Sequence, residues 1–111
     1  MRGLLRSRIV TGLPPTSEGL RNDATKPYFL WWTEVTVGEL KRKLTEGAYA
    51  ERAYWLGALL REANTRDVWL FTSVAEIKAM WPHVYRHLGK SRDMWQFLLD
   101  LPAPDSSQHG A

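Results

Sequence analysis

The chain has no cysteine, so neither a disulfide framework nor a thiolate metal site is open to it, and it must fold by packing alone. It also lacks any run approaching the eighteen or so consecutive apolar residues of a membrane span. The basic start MRGLLRSRIVTGL does not grow into a signal-peptide core, because Arg6 and Arg8 interrupt its apolar stretch. Soluble, cytoplasmic residence is the expectation. Equally missing are a G-x-S-x-G elbow, a Gly-rich phosphate loop and a Cys nucleophile. The acidic residues Glu34, Glu39, Glu46, Glu51, Glu62, Asp67, Glu76, Asp93 and Asp100 are scattered among basic neighbours rather than paired, and read as solvated helix charges. Enzymatic activity, a cofactor and a small-molecule ligand are therefore not expected.

The formal charge of +3 suggests a phosphate-binding protein until it is divided by segment. Residues 1–26 hold five basic and two acidic side chains, whereas residues 27–101 hold ten and nine. The basic excess belongs to the N-terminal arm, and the remainder is nearly neutral, without the bulk positive charge of a nucleic-acid-binding domain. The arm combines Gly3, Gly12, Pro14, Pro15 and Gly19 with scattered Ser, Thr, Asn and Asp, and has no sustained apolar period. That composition predicts disorder for residues 1–26, and the proline-containing tail 102–111 reads the same way.

Residues 27–101 form one domain, about 75 residues long, too small for a second core. A domain of this size needs large side chains, and the six tryptophans (Trp31, Trp32, Trp55, Trp69, Trp81 and Trp95) supply them. Each buries on the order of 200 Å² when fully enclosed.

The period is helical throughout. Thr36-Val37-Gly38-Glu39 is a capping box that opens a helix over 37–46, and Gly47 offers the left-handed residue that ends it. Residues 48–63 carry the stripe Tyr49, Ala53, Leu56, Leu60, Ala63, with Trp55 and Leu59 beside it, which predicts a helix with neighbours on more than one side. Asn64 or Thr65 caps a short helix over 66–71. Ser73-Val74-Ala75-Glu76 is a second capping box, opening a helix that Pro82 ends or kinks near Trp81. Residues 83–88 read either as a continuation or as a separate turn. Ser91 is the expected cap of a last helix over 92–101, with Met94, Trp95, Leu98 and Leu99 facing inward. The fold class is all-α: a small bundle of four to five short antiparallel helices built from helix-turn-helix units, with disordered termini.

Three groups of side chains carry candidate chemistry. His83 and His87 are four residues apart, as a metal pair on a helix would be, but no third ligand is placed near them. They read as solvated or hydrogen-bonded histidines, and no metal site is assigned. Lys41, Arg42 and Lys43 form a basic cluster beside aromatic residues, the makings of a stacking-plus-charge nucleic-acid surface. Glu39 and Glu46 bracket them, and three adjacent helical residues point in three directions, which favours a solvated face. Tyr28-Phe29-Leu30-Trp31-Trp32 precedes the first cap as an extended or one-turn entry. Five consecutive large apolar residues cannot all face one core, so the segment is either a strap across the domain's own helices or a patch that a partner covers.

The succession from Tyr28-Phe29-Leu30-Trp31 through GELKRKLTEG, Arg52-Ala53 and Leu59-Leu60-Arg61-Glu62-Ala63, Asp67-Val68-Trp69, Glu76-Ile77, Trp81-Pro82 and Trp95 resembles a family of short helical bacterial and archaeal proteins. Their genes lie beside nucleotidyltransferase-fold toxins of the AbiEii class, and they are presumed antitoxins. The resemblance covers residues 28–101 and rests on packing positions, with no catalytic residue to carry over. It implies a protein-binding role in which the domain blocks a toxin's cleft by steric cover. Phe29, Trp31, Trp32 and Trp55 would be the contact residues, with Arg52 and Arg61 as a charged rim. The alternatives are a nucleic-acid-binding regulator using Lys41, Arg42, Lys43 and the arm, and a helical adaptor that docks a peptide or helix.

Overall fold

The computed structural model describes Ile9 and residues 12–104. It is all-α, with no strand among the described residues. Six α-helices follow one another: α1 (Val37–Thr45), α2 (Tyr49–Glu62), α3 (Thr65–Val68), α4 (Val74–Ala79), α5 (Trp81–Val84) and α6 (Arg92–Leu99). Short 3-10 turns at Glu18–Arg21, Tyr28–Leu30, Tyr85–His87 and Gly89–Ser91 link or precede them.

The α1 helix begins where its capping box closes. The Thr36 hydroxyl accepts from the Glu39 amide at 3.2 Å, and the Glu39 carboxylate accepts from the Thr36 amide at 2.8 Å. These two bonds to the charged form hold the Glu39 carboxyl below its usual range. Gly47, with φ of 93°, turns the chain into α2, which returns antiparallel to α1. The Arg52 guanidinium donates to the Leu44 carbonyl oxygen across that turn.

The α2 helix is the centre of the domain. Ala53 and the unbroken run from Leu56 to Leu60 are buried, a pattern that only a helix enclosed on all sides can show. Around it lie α1, α3, α5 and three of the 3-10 turns. The segment from Ala79 to Gly89 lies along α2 in the same chain direction. Tyr49 meets Ala79 and His83 at one end, Gly57 meets His87 in the middle, and Arg61 reaches His87 and Gly89 at the other.

The helix ends differ from the sequence expectations in four places. Asn64 caps α3 through its side-chain oxygen, but the helix closes after Val68 and leaves Trp69 to Phe71 in turns. The α4 helix stops at Ala79, because Pro82 has no amide proton and its ring would strike the carbonyl four residues back. A new helix starts at Trp81, with the proline in its first turn, where it is tolerated. Ser91 does not cap α6: its backbone is already helical, and its hydroxyl donates back to the Leu88 carbonyl at 2.7 Å. The α6 helix ends at Leu99, before Pro102 is reached. Asp100 adopts the left-handed conformation (φ 56°), and the amides of Asp100 and Leu101 return to the Phe97 and Gln96 carbonyls in a Schellman motif. Met94, expected inside, is exposed, whereas Trp95 and Leu99 are buried.

The larger correction concerns the segment before residue 27. Residues 12–26 were read as part of a disordered arm, yet they dock on the helical domain, with Pro15 and Leu20 buried. Polar anchoring replaces the missing apolar period. The Val37 and Gly38 amides, orphan donors at the start of α1, bond to the Thr25 carbonyl at 2.7 Å and the Asp23 carbonyl at 2.9 Å. Gly38 suits this approach, since a Cβ there would lie 3.0 Å from the Asp23 Cβ, a tight contact that the Asp23 segment would have to yield to. Of the tail 102–111 expected to be disordered, residues 102–104 are described, with the Trp81 indole donating to the Pro102 carbonyl at 2.9 Å, while residues 1–8, 10, 11 and 105–111 fall outside the described residues.

Candidate functional site

The aromatic entry is divided by a single 3-10 turn. Phe29, expected among the partner contacts, is core instead: it is 1% exposed and packs edge-on against Phe71, with Leu30 buried beside it. Rotation by one residue turns Trp31 outward, where it is 75% exposed. Its ring stands at 78° to that of Trp32, 5.4 Å between centroids. Trp32 is half-buried, and the Arg61 guanidinium lies 5.7 Å from its ring centre. Leu30, Trp31 and Trp32 thus pass from core to surface to edge, as a tight turn requires of a run too long for one face.

Arg61 and Arg52 are held within the domain rather than standing as a free rim. Arg61 donates to the Glu62 carboxylate at 2.7 Å and to the His87 carbonyl at 2.8 Å. Arg52 spans from the Leu44 carbonyl to the face of Tyr49. Trp55 is half-buried at a cleft of about 370 Å³ between the end of α1 and the start of α2. Glu39, Arg42, Lys43, Glu46, Gly47 and Glu51 form the rest of its wall, and the Lys43 ammonium sits 5.2 Å from the Trp55 ring. The basic cluster of α1 is accordingly compensated. Lys41 pairs with Asp23 at 3.1 Å, Lys43 covers an indole, and Arg42 shares its cleft with three carboxylates.

Tyr28 leads to a site that the sequence reading missed. Asp67, placed among the solvated charges, is 0% exposed. Its carboxylate accepts from the Thr16 amide at 2.7 Å, the Thr16 hydroxyl at 2.6 Å and the Tyr28 hydroxyl at 2.7 Å. The Tyr28 oxygen in turn accepts from the Asn64 amide, and Arg66 donates to the Pro14 carbonyl. Burial, together with donation to the Asp67 carboxylate, raises the Tyr28 pKa above its ordinary 10.0. A carboxylate with three donors and no open approach is a structural clamp between the N-terminal segment and α3, not a general base. Its only sequence signal was the position of an acid in the first turn of a one-turn helix, which is where surface acids also occur.

Comparison with protein-family profiles, curated proteins and solved structures finds no match to this chain.

His83 and His87 do not face a common metal. Each stands edge-on to a tyrosine of α2, His83 to Tyr49 at 4.7 Å and His87 to Tyr54 at 5.7 Å. Among the described residues no group of three or more potential ligands is gathered. Likewise among these, no helix is long and apolar enough to cross a membrane. The His87 pKa lies below its ordinary 6.5, first because of burial and then because Arg86 and Arg61 repel its charged form. The unfolded chain therefore takes up this proton before the folded one does. Stability should be constant above pH 6.5 and fall as pH drops below it. Urea melts across that range should show the loss for the native chain and a flatter profile for His87→Gln; parallel profiles would assign the acid sensitivity elsewhere.

Proposed function

We propose that this chain is a non-catalytic protein-binding module whose contact surface is centred on Trp31 and continues over Trp32 and the open part of Trp55. The observation that supports this reading is the exposure of Trp31, a side chain of roughly 200 Å² left outside a small domain although Phe29 and Leu30 just before it are buried. A tryptophan in that position, on a rigid turn fixed by Phe29 and Leu30 beneath it, has the properties of an interface anchor: large area and little conformational freedom to lose. The closed, triply satisfied Asp67 and the compensated charges of α1 favour binding over chemistry.

In line with the family resemblance of residues 28–101, the partner proposed is an AbiEii-class nucleotidyltransferase toxin in the same cytoplasm. The module would act as its antitoxin by covering the cleft. The test is size-exclusion chromatography with light scattering of the chain co-expressed with the product of the gene next to its own, which this reading requires to be a nucleotidyltransferase. A stable complex is expected, and separate elution of the two would remove the reading. Within the complex, Trp31→Ala should weaken binding roughly 30-fold while leaving the thermal midpoint unchanged. Unchanged affinity would place the contact surface elsewhere.

A further inference from the structure

Charges of both signs alternate along most of the domain, but residues 77–92 break the pattern. They contain Lys78, Arg86, Lys90 and Arg92 with His83 and His87, and no Asp or Glu. The fold lays this stretch along α2, with the Tyr49 and Tyr54 rings 42% and 38% exposed against His83 and His87. Lys78, Arg86 and Lys90 are exposed, and none of the three is paired with a carboxylate among the described residues. The neighbouring acids are largely occupied: Glu62 holds Arg61, and Glu76 accepts from the Thr72 and Ser73 hydroxyls. Glu51 lies at the far cleft beside Trp55, and Asp93 begins α6. Arg92 is committed inward, donating to the Tyr85 and Arg86 carbonyls over the face of Tyr85.

We propose that this face binds single-stranded nucleic acid, with Arg86, Lys90 and Lys78 on the phosphates and the Tyr54 and His83 rings against the bases. The chemistry is that of a stacking platform edged by unpaired cations, which needs bases free of a duplex partner and reads no particular sequence. The patch differs in kind from Lys41–Lys43, whose cations are paired with Asp23, laid over Trp55 or set among carboxylates. It adjoins the proposed protein-binding surface where Tyr54 stands edge-on to Trp55, 5.1 Å between ring centroids, but it rests on different observations and is tested separately.

Fluorescence anisotropy of the full chain with labelled oligo(dT) and oligo(U), titrated at low and moderate salt, tests the proposal. Binding is expected for both. The double variant Arg86→Ser/Lys90→Ser should weaken it at least about 10-fold and reduce the salt slope by about 1.4, two phosphate contacts of a single strand. Tyr54→Leu should weaken binding roughly 5- to 100-fold, the effect of losing one stacked base. Lys41→Ser/Arg42→Ser should leave it within about twofold of the native chain, the size of an exposed change away from the site. All the substituted cations are exposed, so circular dichroism should remain native. Absence of binding at low salt would overturn the proposal, as would equal loss in the two double variants. A duplex bound as tightly as the single strand would exclude stacking. Equal affinity for polyglutamate would identify an acidic polypeptide as the partner instead.

Discussion

Gly57→Ala should destabilise the domain by about 1–3 kcal/mol, although alanine is the better helix former. Gly57 is buried in the middle of α2, and a Cβ there would lie 2.4 Å from the His87 Cβ, far inside contact distance. The obstructing atom is next to the backbone of the 3-10 turn Tyr85–His87, so no side-chain rotation relieves it, and the turn itself must move. Movement would disturb what is fixed to that turn: the Arg61 bond to the His87 carbonyl and the edge contact of His87 with Tyr54. The gain in helix propensity, about 1 kcal/mol, acts in the opposite direction and is outweighed. Chemical denaturation of the two proteins should show a lower midpoint at unchanged slope. A variant as stable as the native chain would mean that the helix and the turn are not held as closely as this contact requires.

Asp67→Ala should cost about 2–4 kcal/mol, the loss of three hydrogen bonds to one buried carboxylate. The loss follows from what the carboxylate satisfies: two donors on Thr16 and one on Tyr28, gathered on an acid that is itself fully buried. Its removal should free the strap formed by residues 12–16 before the helices open. Hydrogen exchange at the Thr16 amide is therefore expected to accelerate more than exchange in α2, and a protease should cut within this strap in the variant but not in the native chain. Uniform acceleration across the domain would show instead that strap and helices open as a single unit. Asp67→Asn is the informative companion, because it keeps the volume but replaces one acceptor with a donor. It should lie between the native chain and Asp67→Ala.

The sequence made the helices legible wherever a cap and a period coincide. Thr36 and Glu39 mark the start of α1, and the apolar stripe of α2 marks the helix with neighbours on every side. It misled where an interaction depends on residues far along the chain. Asp67 has the local context of a surface acid, and only Thr16 and Tyr28, brought from the other end of the sequence, make it a buried clamp. The N-terminal segment has too little apolar content to signal order. Its anchors are backbone carbonyls presented to the start of α1, which no side-chain pattern encodes. Gly57 gave no signal either, since a helical glycine explains itself only when the neighbouring backbone is known. For the aromatic entry, the sequence required that some residues face outward. The turn decided which, sending Phe29 inward and Trp31 to the surface.

The indole of Trp95 donates to the Leu60 carbonyl at 2.9 Å. Leu60 lies in the last turn of α2, where carbonyls have no helical amide to receive, so the central helix is completed by a side chain from the final one. During synthesis, α2 leaves the ribosome before Trp95 does, because it comes first in the chain. Until α6 emerges, that carbonyl can be satisfied only by water, and the apolar surface around it stays wet. The core therefore closes only after Trp95 has been added and has left the ribosome, and a chain stalled before Trp95 would present to chaperones a central helix whose end is still open.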